Sequence, residues 1–292
     1  MNFKKPAFWD LEKPTLFAYL LYPFGFLVRF NNFLNEIRLK KKSSKIKTIC
    51  IGNIYLGGTG KTPTAIETYN LVKKLNKKIA IGKKYYPAHS DENMILDNVS
   101  NLILDKSRLK VVRKAINKKI KILIFDDGLQ DKDLDYDLKF VCFNSNNWIG
   151  NGRIIPSGPL RELKESLIKY DGVFLQDSFK SITNNSVINS IKNINPKINI
   201  FKTKYQAINI NKFNKKKNYL IFSGIGSPEN FKNLLIKNKI RVTRHIKFPD
   251  HYNFTNDDIK KIKNIADSLK AEIITTEKDY VKLNAYNKKN IK

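Results

Sequence analysis

Short apolar runs alternating with amphipathic stretches recur along most of the chain, and one block near its start departs from that pattern. Residues 15–28 (TLFAYLLYPFGFLV) are almost wholly apolar, yet they fall short of the ~20 apolar residues a spanning helix needs and contain Pro23 and Gly25. Beyond Phe24, the residues Phe26, Leu27, Phe30, Phe33, Leu34 and Ile37 recur at helical spacing, with Arg29, Arg38 and Lys40–Lys42 beside them. Such a helix either lies in a membrane interface, its cations at the headgroups, or packs its stripe on its own domain. The dense aromatics and trailing lysines favour the membrane.

After this block the pattern becomes β-α-β. Residues 47–53 (KTICIGN), 78–82 (KIAIG), 120–125 (IKILIF) and 138–143 (LKFVCF) read as buried strands, and 63–75 and 108–117 as helices. Residues 83–94 read as irregular, and 144–160, rich in Asn, Gly and Pro, as a long loop of the kind that is often functional. Further strands are expected at 172–175 and 197–205, and a second α/β cycle begins near Asn218. Short buried strands alternating with helices predict an α/β fold with a mostly parallel, doubly wound sheet. The expected division is an N-terminal membrane-associated segment (1–45), a P-loop domain (46–205) and a smaller C-terminal α/β domain (206–292).

Composition changes this picture little. Over 292 residues the net charge is +29, but the cations are dispersed and Lys, Asn and Ile are abundant together throughout. No basic stripe with interleaved aromatics stands out, so a nucleic-acid partner is not expected, whereas attraction to an anionic leaflet is compatible. Cys50 and Cys142 sit in apolar runs and read as buried thiols, and His89, His245 and His251 lack zinc-ligand spacing. The opening MNFKKPAFWDLEKP has charge and proline where the apolar stretch of a cleavable signal would run.

Two motifs carry chemistry. LGGTGKT (Leu56, Gly57, Gly58, Thr59, Gly60, Lys61, Thr62) follows a strand and precedes a helix, the setting in which glycines let backbone N–H groups wrap a polyphosphate. Lys61 would reach the β/γ-phosphates and the Thr62 hydroxyl would take Mg²⁺. Tyr55 stands where the strict pattern has glycine. FDDGLQ (125–130) ends an apolar strand, placing a carboxylate where it can serve Mg²⁺. In extended chain only one of Asp126 and Asp127 can face the metal. These residues imply an ATP- or GTP-binding protein and leave a kinase and a nucleotide-dependent switch both open.

Further strings narrow the choice: FWDLEKP near the start, GNIYLGGTGKTP, DDGLQ, NGRIIPSGPLRE, GIGSPENF, FPDH and TEKDYVKL. Taken in order from about Phe8 to Leu283, they resemble the tetraacyldisaccharide 4′-kinase (lipid A 4′-kinase) family. The resemblance implies transfer of phosphate from MgATP to the 4′-hydroxyl of tetraacyldisaccharide 1-phosphate, at the cytoplasmic face of the bacterial inner membrane. It also implies a smaller domain closing over the site, with Asp91 (SDEN) as catalytic base and His251 (DHY) as its partner from the other domain. Thr62, Asp127 and Glu162 match positions near the magnesium ion. The chain departs from the family at GKKYY (82–86), which lacks an arginine and leaves Lys83 or Lys84 in its stead, and at Asp131, where histidine is usual. Arg108 matches either a substrate-side arginine or an ordinary helix start.

Overall fold

A computed structural model describes residues 5–38, 44–75, 78–87, 90–131, 133–177 and 181–292; Lys40–Lys42 and His89 lie outside them. The described chain forms two compact units, one holding the larger part of Phe3–Tyr86 with Val99–Lys204, the other Tyr205–Lys292 with the segment around Asp91, Pro87–Asn98. Two expectations change here. The N-terminal segment belongs to the same unit as the phosphate loop, and the Asp91 segment belongs with the C-terminal unit.

In the larger unit the strands β1 (Lys47–Gly52), β2 (Ile79–Lys84), β3 (Leu102–Asp105), β4 (Ile122–Asp126), β5 (Leu138–Asn144), β6 (Gly172–Gln176) and β7 (Asn199–Thr203) form one sheet in the order β3-β2-β4-β1-β5-β6-β7. Every pairing in it is parallel. Cys50, Leu123, Phe125, Val141 and Val173 are all fully buried, because a parallel sheet is covered on both faces and its strands become continuous apolar runs. α3 (Lys61–Leu75), α5 (Arg108–Asn117) and α6 (Ser181–Ile194) are among the covering helices. β1 is central and its neighbours on either side, β4 and β5, follow later in the chain, so the strand order reverses there; such sheets bind ligands at the carboxyl ends around that point. Both cysteines are buried free thiols, and burial pushes Cys142 up to about 12.

At the start, α1 (Leu16–Leu20) leads into α2 (Tyr22–Arg38), which tolerates Pro23 in its first turn. The inner face of α2 is made by Gly25, Val28 and Asn32. Gly25 faces the carbonyls of Ile154 and Ile155, Val28 packs on Tyr55, Ile154 and Leu160, and Asn32 donates to the Arg161 carbonyl at 3.1 Å. The expected stripe is not that face. Phe26 and Leu27, each 64% exposed, point outward with Phe24, Phe30 and Phe33, Leu34 is half-buried, and the Ile37 side chain lies outside what is described.

The smaller unit has a three-stranded parallel sheet, β10-β8-β9, from β8 (Asn218–Ser223), β9 (Arg241–Lys247) and β10 (Glu272–Thr275). α7 (Pro228–Lys237) and α8 (Asn256–Ser268) pack on it, and Thr255 and Asp258 form a capping box at the start of α8. His245 Nε2 lies 2.8 Å from the Ser223 hydroxyl, and its buried Nδ1 has no partner among the described residues. Burial, aided by Lys247, depresses His245 to about 4. The ring is therefore neutral in the fold and protonated on unfolding below the ordinary histidine pKa of about 6.5. Stability is accordingly expected to be full above that value and to fall as pH drops towards 4. His245→Gln should flatten this part of the curve of unfolding midpoint against pH; an unchanged slope would assign the loss elsewhere.

Candidate active site

The phosphate loop is held open by its own backbone and by a neighbouring loop. Gly57 and Gly60 have φ of +151° and +80°, values that disfavour a side chain. The buried Asn53 amide donates to the Tyr55 carbonyl at 2.5 Å and to Thr59 Oγ1 at 3.0 Å, bracing the turn from inside. The GPLRE stretch is stitched alongside: Leu56 N–H donates to Pro159 O at 2.8 Å and Arg161 N–H to Ile54 O at 2.7 Å, around a Tyr55–Leu160 bridge. Trp9 is buried behind this loop, with its indole N–H donating to Pro156 O at 3.0 Å. Its own carbonyl accepts from Asn151 N–H at 3.0 Å, and a Cβ on Gly150 would stand 2.1 Å from that oxygen. The strings FWD, GGTGKT and PSGPLRE thus form one assembly.

Charged groups converge on its mouth. Lys61 Nζ lies 2.8 Å from Asp127 Oδ2, and Thr62 Oγ1 donates to Asp126 Oδ2 at 3.0 Å. Both adjacent acids therefore reach the loop, contrary to the alternation expected of extended chain. The reason is local: Asp127 has φ of +60°, a left-handed turn that swings its side chain round to the side Asp126 faces. Burial pushes the Asp127 carboxyl up, but the Lys61 ammonium and Arg161 guanidinium outweigh it and hold it at about 2. Glu162 accepts from Gln130 Nε2 at 2.7 Å and from the Tyr170 hydroxyl at 2.9 Å, and Gln130 Oε1 accepts from Arg161 at 3.2 Å. Arg108 donates to Asp131 Oδ2 at 2.8 Å and to the Asp127 carbonyl, so it holds the DDGLQD turn, and Asp131 in place of histidine supplies its partner.

Lys83, one of the two lysines expected in the missing arginine's stead, is buried and donates to Asp126 Oδ2 at 2.6 Å. Removing one member of such a buried pair leaves an uncompensated charge. Lys83→Met is expected to cost about 3–5 kcal/mol in urea unfolding without Mg²⁺; a loss under ~1 kcal/mol, the scale of an exposed pair, would contradict this reading.

The smaller unit assembles the second cluster. His251 follows β9, and α9 (Glu277–Tyr280), which carries Lys278, follows β10, so both sit at carboxyl ends of that sheet. Asp91, in the first turn of α4 (Ser90–Val99), is buried. His251 Nδ1 lies 3.1 and 3.2 Å from the two Asp91 oxygens. His251 is left-handed at φ +58°, held by its N–H on Gly224 O at 3.2 Å and on Asp250 Oδ1 at 3.0 Å. Backbone in such sparsely populated regions persists where its surroundings over-determine it, and clusters at functional sites. Burial raises the Asp91 carboxyl, but the His251 hydrogen bond and Lys278 outweigh it and keep it below its ordinary value.

A sequence model of the family described as tetraacyldisaccharide-1-P 4′-kinase matches residues 17–292. The chain belongs to that family. It is 44% identical to the tetraacyldisaccharide 4′-kinase of Pelagibacter ubique strain HTCC1062 over 100% of this chain and 92% of the relative. It is 33% identical to the enzyme of that name from Rickettsia akari strain Hartford, over 97% of this chain and 89% of the relative. A solved structure of LpxK from Aquifex aeolicus in complex with ATP superposes with a TM-score of 0.66 at 22% identity, covering 94% of this chain and 92% of that one, which shows a shared fold.

Tetraacyldisaccharide 4′-kinases are phosphotransferases, so the switch alternative loses its support. Of the residues expected from the sequence, the structure brings Lys61, Thr62 and Asp127 to the phosphate loop, sets Glu162 one side chain further out through Gln130, and joins Asp91 to His251. It adds Asn53, Gln130 and Arg161, and it brings in Asp126, named as the alternative to Asp127, and Lys83, named with Lys84 as a replacement for arginine.

Proposed function

We infer that this chain moves the γ-phosphate of ATP onto the 4′-hydroxyl of tetraacyldisaccharide 1-phosphate in lipid A assembly, at the anionic cytoplasmic surface of a bacterial inner membrane. The observation that supports it most is the pairing of Lys61 and Thr62 with the Asp126–Asp127 carboxylates in a member of this family.

The residues present fit a magnesium ion. Asp126 Oδ1 is buried without a partner among the described residues, close to the Thr62 hydroxyl that meets Oδ2. No group of three or more His, Cys, Asp or Glu among the described residues suits an ion by itself, which agrees with Mg²⁺ being held by one or two protein oxygens, waters and substrate phosphates. Thr62 and Asp126 would hold it, with Asp127 and Glu162 nearby, and the bound ion would neutralise phosphate charge. Lys61 would stabilise charge on the transferring phosphoryl group, and the loop N–H groups would bind the polyphosphate. The acceptor oxygen bonds to the γ-phosphorus as the bond to the β–γ bridging oxygen breaks; ADP leaves, and the hydroxyl proton passes to Asp91, which His251 orients.

For the membrane, no helix among the described residues is long and apolar enough to cross one. The outward apolar side of α1 and α2, from Leu16 through Phe33, supports an interfacial contact, since patches of this kind mark protein or membrane interaction sites. The deciding experiment is ATP-dependent transfer to tetraacyldisaccharide 1-phosphate in mixed micelles. Turnover on a soluble sugar but not on the lipid would refute the acceptor. Sedimentation with anionic vesicles, set against random DNA in the same salt, tests the surface: binding to DNA alone would reverse the assignment.

A further inference from the structure

Lys278 stands apart from the other lysines because its ammonium meets the catalytic pair from behind. Its Nζ lies 3.2 Å from His251 Nε2 and 3.2 Å from Asp250 Oδ1, with Glu92 Oε1 at 3.5 Å and Asp91 Oδ2 at 4.0 Å. The other ring nitrogen, Nδ1, faces Asp91. An ionised carboxylate only accepts hydrogen bonds and an ammonium only donates them. Nδ1 must then carry the proton, and Nε2 must offer its lone pair to Lys278. We propose that Lys278 is a positioning residue that fixes His251 in its neutral Nδ1–H form, so that the ring steadies Asp91 and the carboxylate alone receives the proton of the attacking hydroxyl. This rests on Asp91 being the proton acceptor of the proposed reaction.

The ammonium at Nε2 is the group that opposes a second proton on the ring. A doubly protonated ring would set Nε2–H against the Lys278 N–H groups, donor to donor and cation to cation. Three carboxylates would favour that ring: Asp91, already met by Nδ1–H at 3.1 Å, and Glu92 and Asp250, which lie 3.7 and 3.9 Å from Nε2, beyond hydrogen-bond reach, and are both nearer Lys278. Burial works against the Lys278 charge, but Asp250, Glu92 and Asp91 outweigh it and raise its pKa. Lys282 sits 3.9 Å from Asp91 and is anchored by Asp279 at 2.7 Å and the Tyr252 carbonyl at 2.9 Å, so it supports the carboxylate without touching the ring nitrogens. Two cations beside Asp91 make it a weak base, which suits phosphoryl transfer: the loose transition state asks little of a base until the new bond is well advanced.

Long-range proton–nitrogen correlation spectra of the full chain labelled with ¹⁵N-histidine read the ring protonation directly, and His251→Asn identifies the resonances. At neutral pH the wild type is expected to show a protonated Nδ1 and a bare Nε2. Lys278→Met should convert His251 to the imidazolium, protonated on both ring nitrogens, and lower kcat at least ~10-fold, with KM for ATP unchanged. Lys278→Arg should restore the wild-type ring pattern and part of kcat. A wild-type ring protonated on Nε2, or a Lys278→Met ring with unchanged protonation and titration, overturns the proposal. If Lys278→Met does not fold, as circular dichroism would show, the wild-type spectrum and the arginine variant still decide it. The spectra need no substrate: a chain with the Nδ1–H pattern that transfers nothing to tetraacyldisaccharide 1-phosphate refutes the acceptor and leaves the ring assignment standing.

Discussion

Asp91→Asn is expected to lower phosphate transfer to the disaccharide lipid by about 10²–10⁴-fold while leaving ATP affinity near that of the wild type. Asparagine keeps the volume and one oxygen for His251 Nδ1–H, so the buried cluster stays filled. What it removes is the negative charge and the capacity to take a proton. Titrating ATP binding alongside turnover separates this from general damage, because the phosphate loop is built from residues of the other unit. Since Asp91 is held below the usual carboxylate range, it stays ionised down to acid pH and should give kcat no acid limb near neutrality. Near-normal turnover in Asp91→Asn would end its assignment as the base.

Lys61→Ala is expected to lower kcat by about 10²–10³-fold, the scale of removing one preorganised charge-stabilising donor. It should also raise KM for ATP, because the same ammonium would contact ground-state phosphates. A second consequence distinguishes this variant from simple loss of a contact. Lys61 is the foremost charge holding Asp127 at about 2, so removing it should let that carboxyl rise towards its ordinary value, with Arg161 and Arg108 still opposing. Carbonyl-carbon NMR of labelled aspartate would follow the change, and Lys61→Arg should keep Asp127 low while restoring little turnover, since the fork does not replace a compact ammonium. If Lys61→Ala retained most of kcat, the lysine would be a binding group only.

The larger sheet was legible because parallel strands buried on both faces appear as apolar runs, and LGGTGKT because its chemistry is local. What escaped has physical causes. α4 reads as irregular because, among its described side chains, the buried ones are Asp91, Asn93 and Leu96, so polar residues dominate the inward side and no apolar stripe marks the helix. Within β3, only Ile103 is buried, and β9 (RVTRHIK) is an edge strand whose exposed cations hide its period. The two acids of DDGLQ read as alternatives only while strand alternation continues through both; the left-handed Asp127 ends it one residue sooner. Lys278 is one of 55 Lys and Arg, and nothing in TEKD tells it from the rest until the fold sets it against His251. On the α2 helix the outward residues Phe26, Leu27, Phe30 and Phe33 belong to the expected stripe, and the packing face is the less apolar one, Gly25, Val28 and Asn32.

The burial of Trp9 bears on how the protein can be handled. An apolar stretch near the N-terminus invites trimming to gain solubility, with the cut made after it. Here the residue that anchors the loop beside the phosphate cradle comes before that stretch: the Trp9 indole and carbonyl both bond to residues 151–156, which run on into the GPLRE stretch. A shortened protein lacking the greasy helices would also lack this wedge. Loss of ATP binding in such a truncation would then report a collapsed cradle rather than any need for lipid. Solubility is better sought by exchanging Phe26, Leu27 and Phe30 on the outer side of α2 for polar residues, which leaves Trp9 and the Gly25 face in place.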